Sequence, residues 1–86
     1  MKFYYLIKAN EINDLSLKIP SPYITEEYAT SLLQKFIKHH SSILALPNGN
    51  YTVNLYKDIL PDPVKHELVC HFCKQNTSIV FYYPNH

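Results

Sequence analysis

The 86-residue chain predicts an α+β domain, with a mainly antiparallel sheet of four or five strands and two helices on one face. Three observations lead there. Apolar residues alternate or run unbroken in several short segments, as strands require. One longer segment repeats them at three- and four-residue spacing, as an amphipathic helix requires. Proline, asparagine and aspartate separate the segments. A composition of 47% hydrophobic and 17% charged residues fits one compact domain, residues 1–86, and not a disordered chain.

Residues 2–9 carry Phe3, Tyr5 and Ile7 on one alternating set and Tyr4 and Leu6 on the other. This predicts a strand covered on part of both faces, hence central in the sheet. Asn10 to Asp14 is turn-like. Leu15, Leu17 and Ile19 then alternate with Ser16 and Lys18, predicting a short edge strand at 15–19 that Pro20 and Pro22 end. Thr25 is a good N-cap, and Glu26 and Glu27 stand where a helix dipole favours negative charge. Tyr28, Ala29, Leu32, Leu33, Phe36 and Ile37 form one stripe, predicting a helix over 26–40 that closes on Lys38, His39 and His40.

Asn48-Gly49 lies between Ile43–Leu46 and the alternating Tyr51, Val53 and Leu55. That predicts a hairpin of 42–46 with 51–57. Asp62 as N-cap and Pro63 at the first helical position predict a second helix over 63–75, with Val64, Leu68, Val69, Phe72 and Cys73 as its apolar side. Ser78 to Tyr83 is apolar on both sets, predicting a last, internal strand. Without 15–19 the order is β-α-β-β-α-β, that of a ferredoxin-like fold. The segment 10–24 makes its first crossover unusually long.

Composition excludes several function classes. A net charge of +1 gives no global field for nucleic acid or acidic lipid. There is no Arg, so no bidentate fork for phosphate or guanine. Gly49 is the single glycine, too few for a dinucleotide or phosphate loop. Only five apolar residues separate Lys2 from Lys8, too short for a signal-peptide core or a membrane span. The expectation is a cytoplasmic protein with no membrane partner and reduced thiols.

His66, Cys70 and Cys73 would share one flank of the second helix, a zinc-like set lacking a fourth ligand. Structural zinc sites take ligand pairs from two separated turns, so the expectation is no metal and no cofactor. Cys70-His71-Phe72-Cys73 is formally C-x-x-C. Near a helix C-terminus the dipole opposes a thiolate, which disfavours redox chemistry. Glu26 and Glu27 diverge by about 100° on a helix and form no acid–base pair. The chain therefore reads as non-enzymatic.

Eight Tyr and four Phe are the remaining signal. If helices cover the Val53/Leu55 face, Thr52, Asn54 and Tyr56 line the other face, joined by Tyr4 or Tyr5 from 2–9 and Tyr82 or Tyr83 from 78–83. The candidate partner-binding residues are Tyr4, Tyr56, Tyr82 and Asn54, with Lys35 and Lys38 on the outer side of the first helix. Tyr gives large contact area at low entropy cost. The alternative is a single-stranded RNA reader stacking bases on tyrosines, but Asn48 to Val53 lacks the basic-Gly-aromatic pattern of such sheets. The leading expectation is a small interaction domain with a host protein complex as partner. It would be a phage or mobile-element inhibitor of host defence, similar in kind to anti-CRISPR proteins. It would act by steric or allosteric block, with self-pairing into a homodimer a further option.

Overall fold

The computed structural model describes the backbone of residues 2–58 and 64–83, and the side chains of 3–57 and 69–83. Five strands form one sheet: β1 (Lys2–Ala9), β2 (Ser16–Pro20), β3 (Gly49–Asp58), β4 (Val64–Gln75) and β5 (Ser78–Tyr82). Their order is β2-β1-β3-β4-β5, and every neighbouring pair is antiparallel. Three short helices, α1 (Glu26–Ser31), α2 (Leu33–Ile37) and α3 (Ser41–Leu44), all fall between β2 and β3. The class is α+β, but the ferredoxin-like order does not hold, because no helix separates β3 from β4 or β4 from β5 among the described residues.

Period-two alternation sorts the side chains of the sheet onto two faces. Tyr5 sits opposite Ile19 and Leu55, Ile7 opposite Val53, and Tyr51 opposite Phe72. These residues and Cys70 are buried beneath Ala29, Leu33, Ile37 and Ile43 of the helices. Burying one such aliphatic or aromatic side chain contributes about 1.5–3 kcal/mol, so this layer is the main source of stability. The Tyr5 hydroxyl donates to the Ala29 carbonyl at 2.7 Å and accepts from Ser21 Oγ at 3.3 Å. A phenol that large is tolerated in the core because its polar end is satisfied.

The strand at 2–9 has a neighbour on each side, as expected, and the segment at 15–19 is an edge strand. The expected helix over 26–40 is instead two short ones. Thr30 and Ser31 hydroxyls donate back to the Glu26 and Glu27 carbonyls, and Leu32 leaves helical geometry at φ −101° and ψ 6°. Hydroxyls that compete for helical carbonyls weaken a helix interior.

Four expectations are corrected outright. Residues 42–46 form no strand; α3 occupies them, capped by His40 Nδ1, which accepts from the Ser42 amide at 3.2 Å. Asn48-Gly49 makes no hairpin turn. The Asn48 side chain accepts from the Asn76 amide at 2.7 Å, and Gly49 opens β3 at φ 151°. A β-carbon there would meet the Glu11 carboxylate at 3.3 Å, while that carboxylate accepts from the Asn50 amide and side chain. The expected helix over 63–75 is strand β4; Asp62 and Pro63 lie outside the described residues.

The reason for this last difference is visible in the register. Val53 pairs with Cys70, Asn54 with Leu68 and Tyr56 with Lys65, so β4 carries two extra residues relative to β3. Each extra residue shifts the alternation by one. Within its described part, buried Cys70, Phe72 and Lys74 alternate with half-buried His71 and Cys73, so the stripe read as helical, with Phe72 beside Cys73, combined both faces of a strand. Finally, the last strand is not internal: among the described residues β5 pairs with β4 alone and forms the second sheet edge.

Candidate functional site

With the helices on one side, no described residue forms a second layer over the opposite face of the sheet. Tyr4, Leu6 and Lys8 come from β1, Ser16 and Lys18 from β2, and Thr52, Asn54 and Tyr56 from β3. His71 and Cys73 of β4 and Val80 and Tyr82 of β5 complete it. None of these twelve side chains is buried, whereas the other face of the sheet forms the core.

The end of this face toward Lys2 and Asp58 is aromatic. Tyr4 and Tyr56, directly opposite in register, stack with ring centroids 5.2 Å apart and planes within 1°. Lys18 Nζ lies 4.2 Å from the Tyr4 centroid, a cation–π contact from the neighbouring strand. The Tyr4 ring is thus flanked by β2 and β3 neighbours and stands on edge. Thr52 Oγ1 donates to the Asn10 side chain at 2.8 Å and lies 3.3 Å from His71 Nδ1, which fixes the polar end of the face. Val80 and Tyr82 are about half exposed, at 50% and 53%. Among the described side chains the face carries Lys8 and Lys18 and no carboxylate.

Four of the six residues singled out from sequence, Tyr4, Tyr56, Tyr82 and Asn54, are brought onto this one face. Lys35 and Lys38 are not. They are exposed on the helical layer, with the core between them and the tyrosines. Thr52 joins the tyrosines and Asn54 as its alternation with Val53 predicts, and Leu6, Lys8, Ser16, Lys18, His71, Cys73 and Val80 complete the face without having been singled out. The signal for Lys18 lay in its alternation with Leu17 and Ile19. That for His71 and Cys73 lay in their alternation with Cys70, Phe72 and Lys74, hidden by the helical reading of β4.

The cysteine-containing cluster dissolves in the strand. Cys70 and Cys73 stand three residues apart, so their side chains leave opposite faces and their Cα atoms are about 10 Å apart. A disulfide needs less than about 7 Å. Cys70 is fully buried and desolvation pushes its thiol up to about 12, away from nucleophilic chemistry. The His66 side chain lies outside the described residues, and no group of three potential metal ligands occurs among the described ones. A groove of about 390 Å³ runs beside the β1–β2 loop, lined by Lys8, Ile12, Asp14 and neighbours, and no His or Cys enters it.

Compared with known proteins, the chain matches no family model, no curated protein and no solved structure. No helix among the described residues is long and apolar enough to cross a membrane.

Proposed function

We propose that the chain is a non-enzymatic interaction domain that docks a partner protein on its open sheet face. One observation carries this reading: the Tyr4–Tyr56 stack, braced by Lys18, on a face that none of the described residues covers with a second layer. Paired aromatics on a rigid sheet supply contact area with little ordering cost. Lys8 and Lys18 favour a partner surface rimmed with carboxylates. The partner we propose is a host protein complex of a defence system, blocked sterically or allosterically by a phage or mobile-element product. The near-neutral charge supports occupation of a protein surface over mimicry of nucleic acid.

The RNA-stacking alternative is weaker on geometry. A base needs a free ring face, and Tyr4 has Tyr56 on one side and Lys18 over the ring. The deciding experiment is a nuclease-treated pull-down with the wild type and Tyr56→Ala. A stoichiometric protein retained by the wild type and lost by Tyr56→Ala is expected. Full retention by Tyr56→Ala would refute the sheet-face reading. Recovery that vanishes with nuclease would replace it with RNA binding.

A further inference from the structure

The two edges of the sheet are built differently. Ala9 donates to the Leu15 carbonyl and Ser21 to the Phe3 carbonyl. The odd residues of β2 therefore make the ladder to β1, and Ser16, Lys18 and Pro20 aim their backbone groups outward. Pro20 has no N–H to offer, and Lys18 charges the edge. Both are standard defences against pairing with another chain.

β5 has neither. It reads Ser78-Ile79-Val80-Phe81-Tyr82, with no charge and no proline, and its register with β4 is unbroken. Its length equals that of β2, so length does not protect it. Asn76 and Thr77 form a two-residue loop, with Asn76 at φ 57°. Such a loop closes on a hydrogen-bonded Gln75–Ser78 pair, which turns the backbone groups of Ile79 and Phe81 outward.

We infer that β5 pairs antiparallel with β5 of a second copy across a two-fold axis at Val80, joining two five-stranded sheets into one of ten strands. In this register Ile79 of each copy faces Phe81 of the other, and both outward donors and acceptors are used, giving about four new backbone hydrogen bonds. Ile79 and Phe81 lie on the core side, so the apolar layer continues across the seam. Val80 meets its own copy on the open face, where it is half exposed in the single chain. No like charges meet. The same operation on β2 would set Lys18 against Lys18 and waste Pro20, which is why the second copy is assigned to β5. This assignment uses the edge and does not rest on partner docking at the tyrosine face.

The test is sedimentation of the wild type, Val80→Lys and Tyr56→Ala across concentration. An interface this small belongs to the weak class, so the dimer is expected at about 100 μM chain. Val80→Lys sets two ammonium groups side by side and is expected to raise the dissociation constant at least tenfold, roughly. Tyr56→Ala is expected to leave it unchanged. A wild type that stays monomeric, or dimers that survive Val80→Lys, would overturn the inference; dimers lost only in Tyr56→Ala would assign the contact to the face. Hydrogen exchange on the wild type needs no variant. The Ile79 and Phe81 amides are expected to gain protection as concentration rises, and unchanged exchange would refute the pairing.

Discussion

The two cysteines give the sharpest test of β4. Cys70 is fully buried, and its thiol is pushed from 9.0 to about 12 by desolvation. Three pH units lower the thiolate fraction at pH 8 about 10³-fold. A more basic thiolate is also a better nucleophile, which returns about 20-fold. Ionisation alone therefore slows Cys70 about 50-fold relative to an ordinary thiol. Burial slows it further, because the reagent must wait for the core to open. Cys73 is half-buried on the open face, where the reagent reaches it without the core opening. Labelling with Ellman's reagent in native buffer is expected to show one fast thiol and one at least about 50-fold slower. In denaturant the two should merge. Mass spectrometry of the fast product should place the adduct on Cys73. Comparable native rates, or an adduct on Cys70 first, would refute the strand alternation and the placement of Cys70 in the core.

Three further outcomes are expected. Tyr5→Phe leaves the Ala29 carbonyl without its 2.7 Å donor and should cost about 1–2 kcal/mol in urea unfolding; no loss would show that water replaces the hydroxyl freely. The Cys70 thiol holds its proton more tightly folded than unfolded, so its contribution is complete below pH 9 and is lost as pH rises toward 12. Urea midpoints should fall from pH 9 to 10 in the wild type and less steeply in Cys70→Ala, and parallel curves would contradict this. Ile43→Ala empties a fully buried position under α3 and should cost about 2–4 kcal/mol, whereas Leu44→Ala, at a 45% exposed position, should cost under about 1 kcal/mol; equal losses would misplace α3.

The parts of the fold legible in the sequence were those where one periodicity ruled locally. β1 shows it, with Phe3, Tyr5 and Ile7 inward. So does β2, where Leu17 and Ile19 alternate with Ser16 and Lys18. The first helical segment was legible as a stripe but not as two helices, because the interruption at Leu32 stands beside a tertiary contact, the Tyr5 hydroxyl on the Ala29 carbonyl, that the stripe does not encode. β4 was illegible because Lys74 takes a buried position while Cys73 faces out, so no apolar alternation marks the strand, and two extra residues interrupt its register with β3. Asn48-Gly49 misled because its turn chemistry serves a contact to Asn76, remote in sequence. The tyrosine face was reachable because Tyr4, Asn54, Tyr56 and Tyr82 follow from alternation once the covered face is known. Lys35 and Lys38 were tied to it only by composition, and the helical layer separates them from it.

The strand order has a kinetic consequence. β1 meets β2, β3 meets β4 and β4 meets β5 as sequence neighbours, but β1 meets β3 only after the chain has crossed the helical segment. Ala9 must find Tyr51, and Lys2 must find Asp58, at the middle of the sheet. A hairpin and a meander can each zip locally in microseconds, while closing the seam between them bears the loop entropy and sets the rate. The β1–β3 ladder is thus the last to close, and the helical segment between its strands is ordered with it.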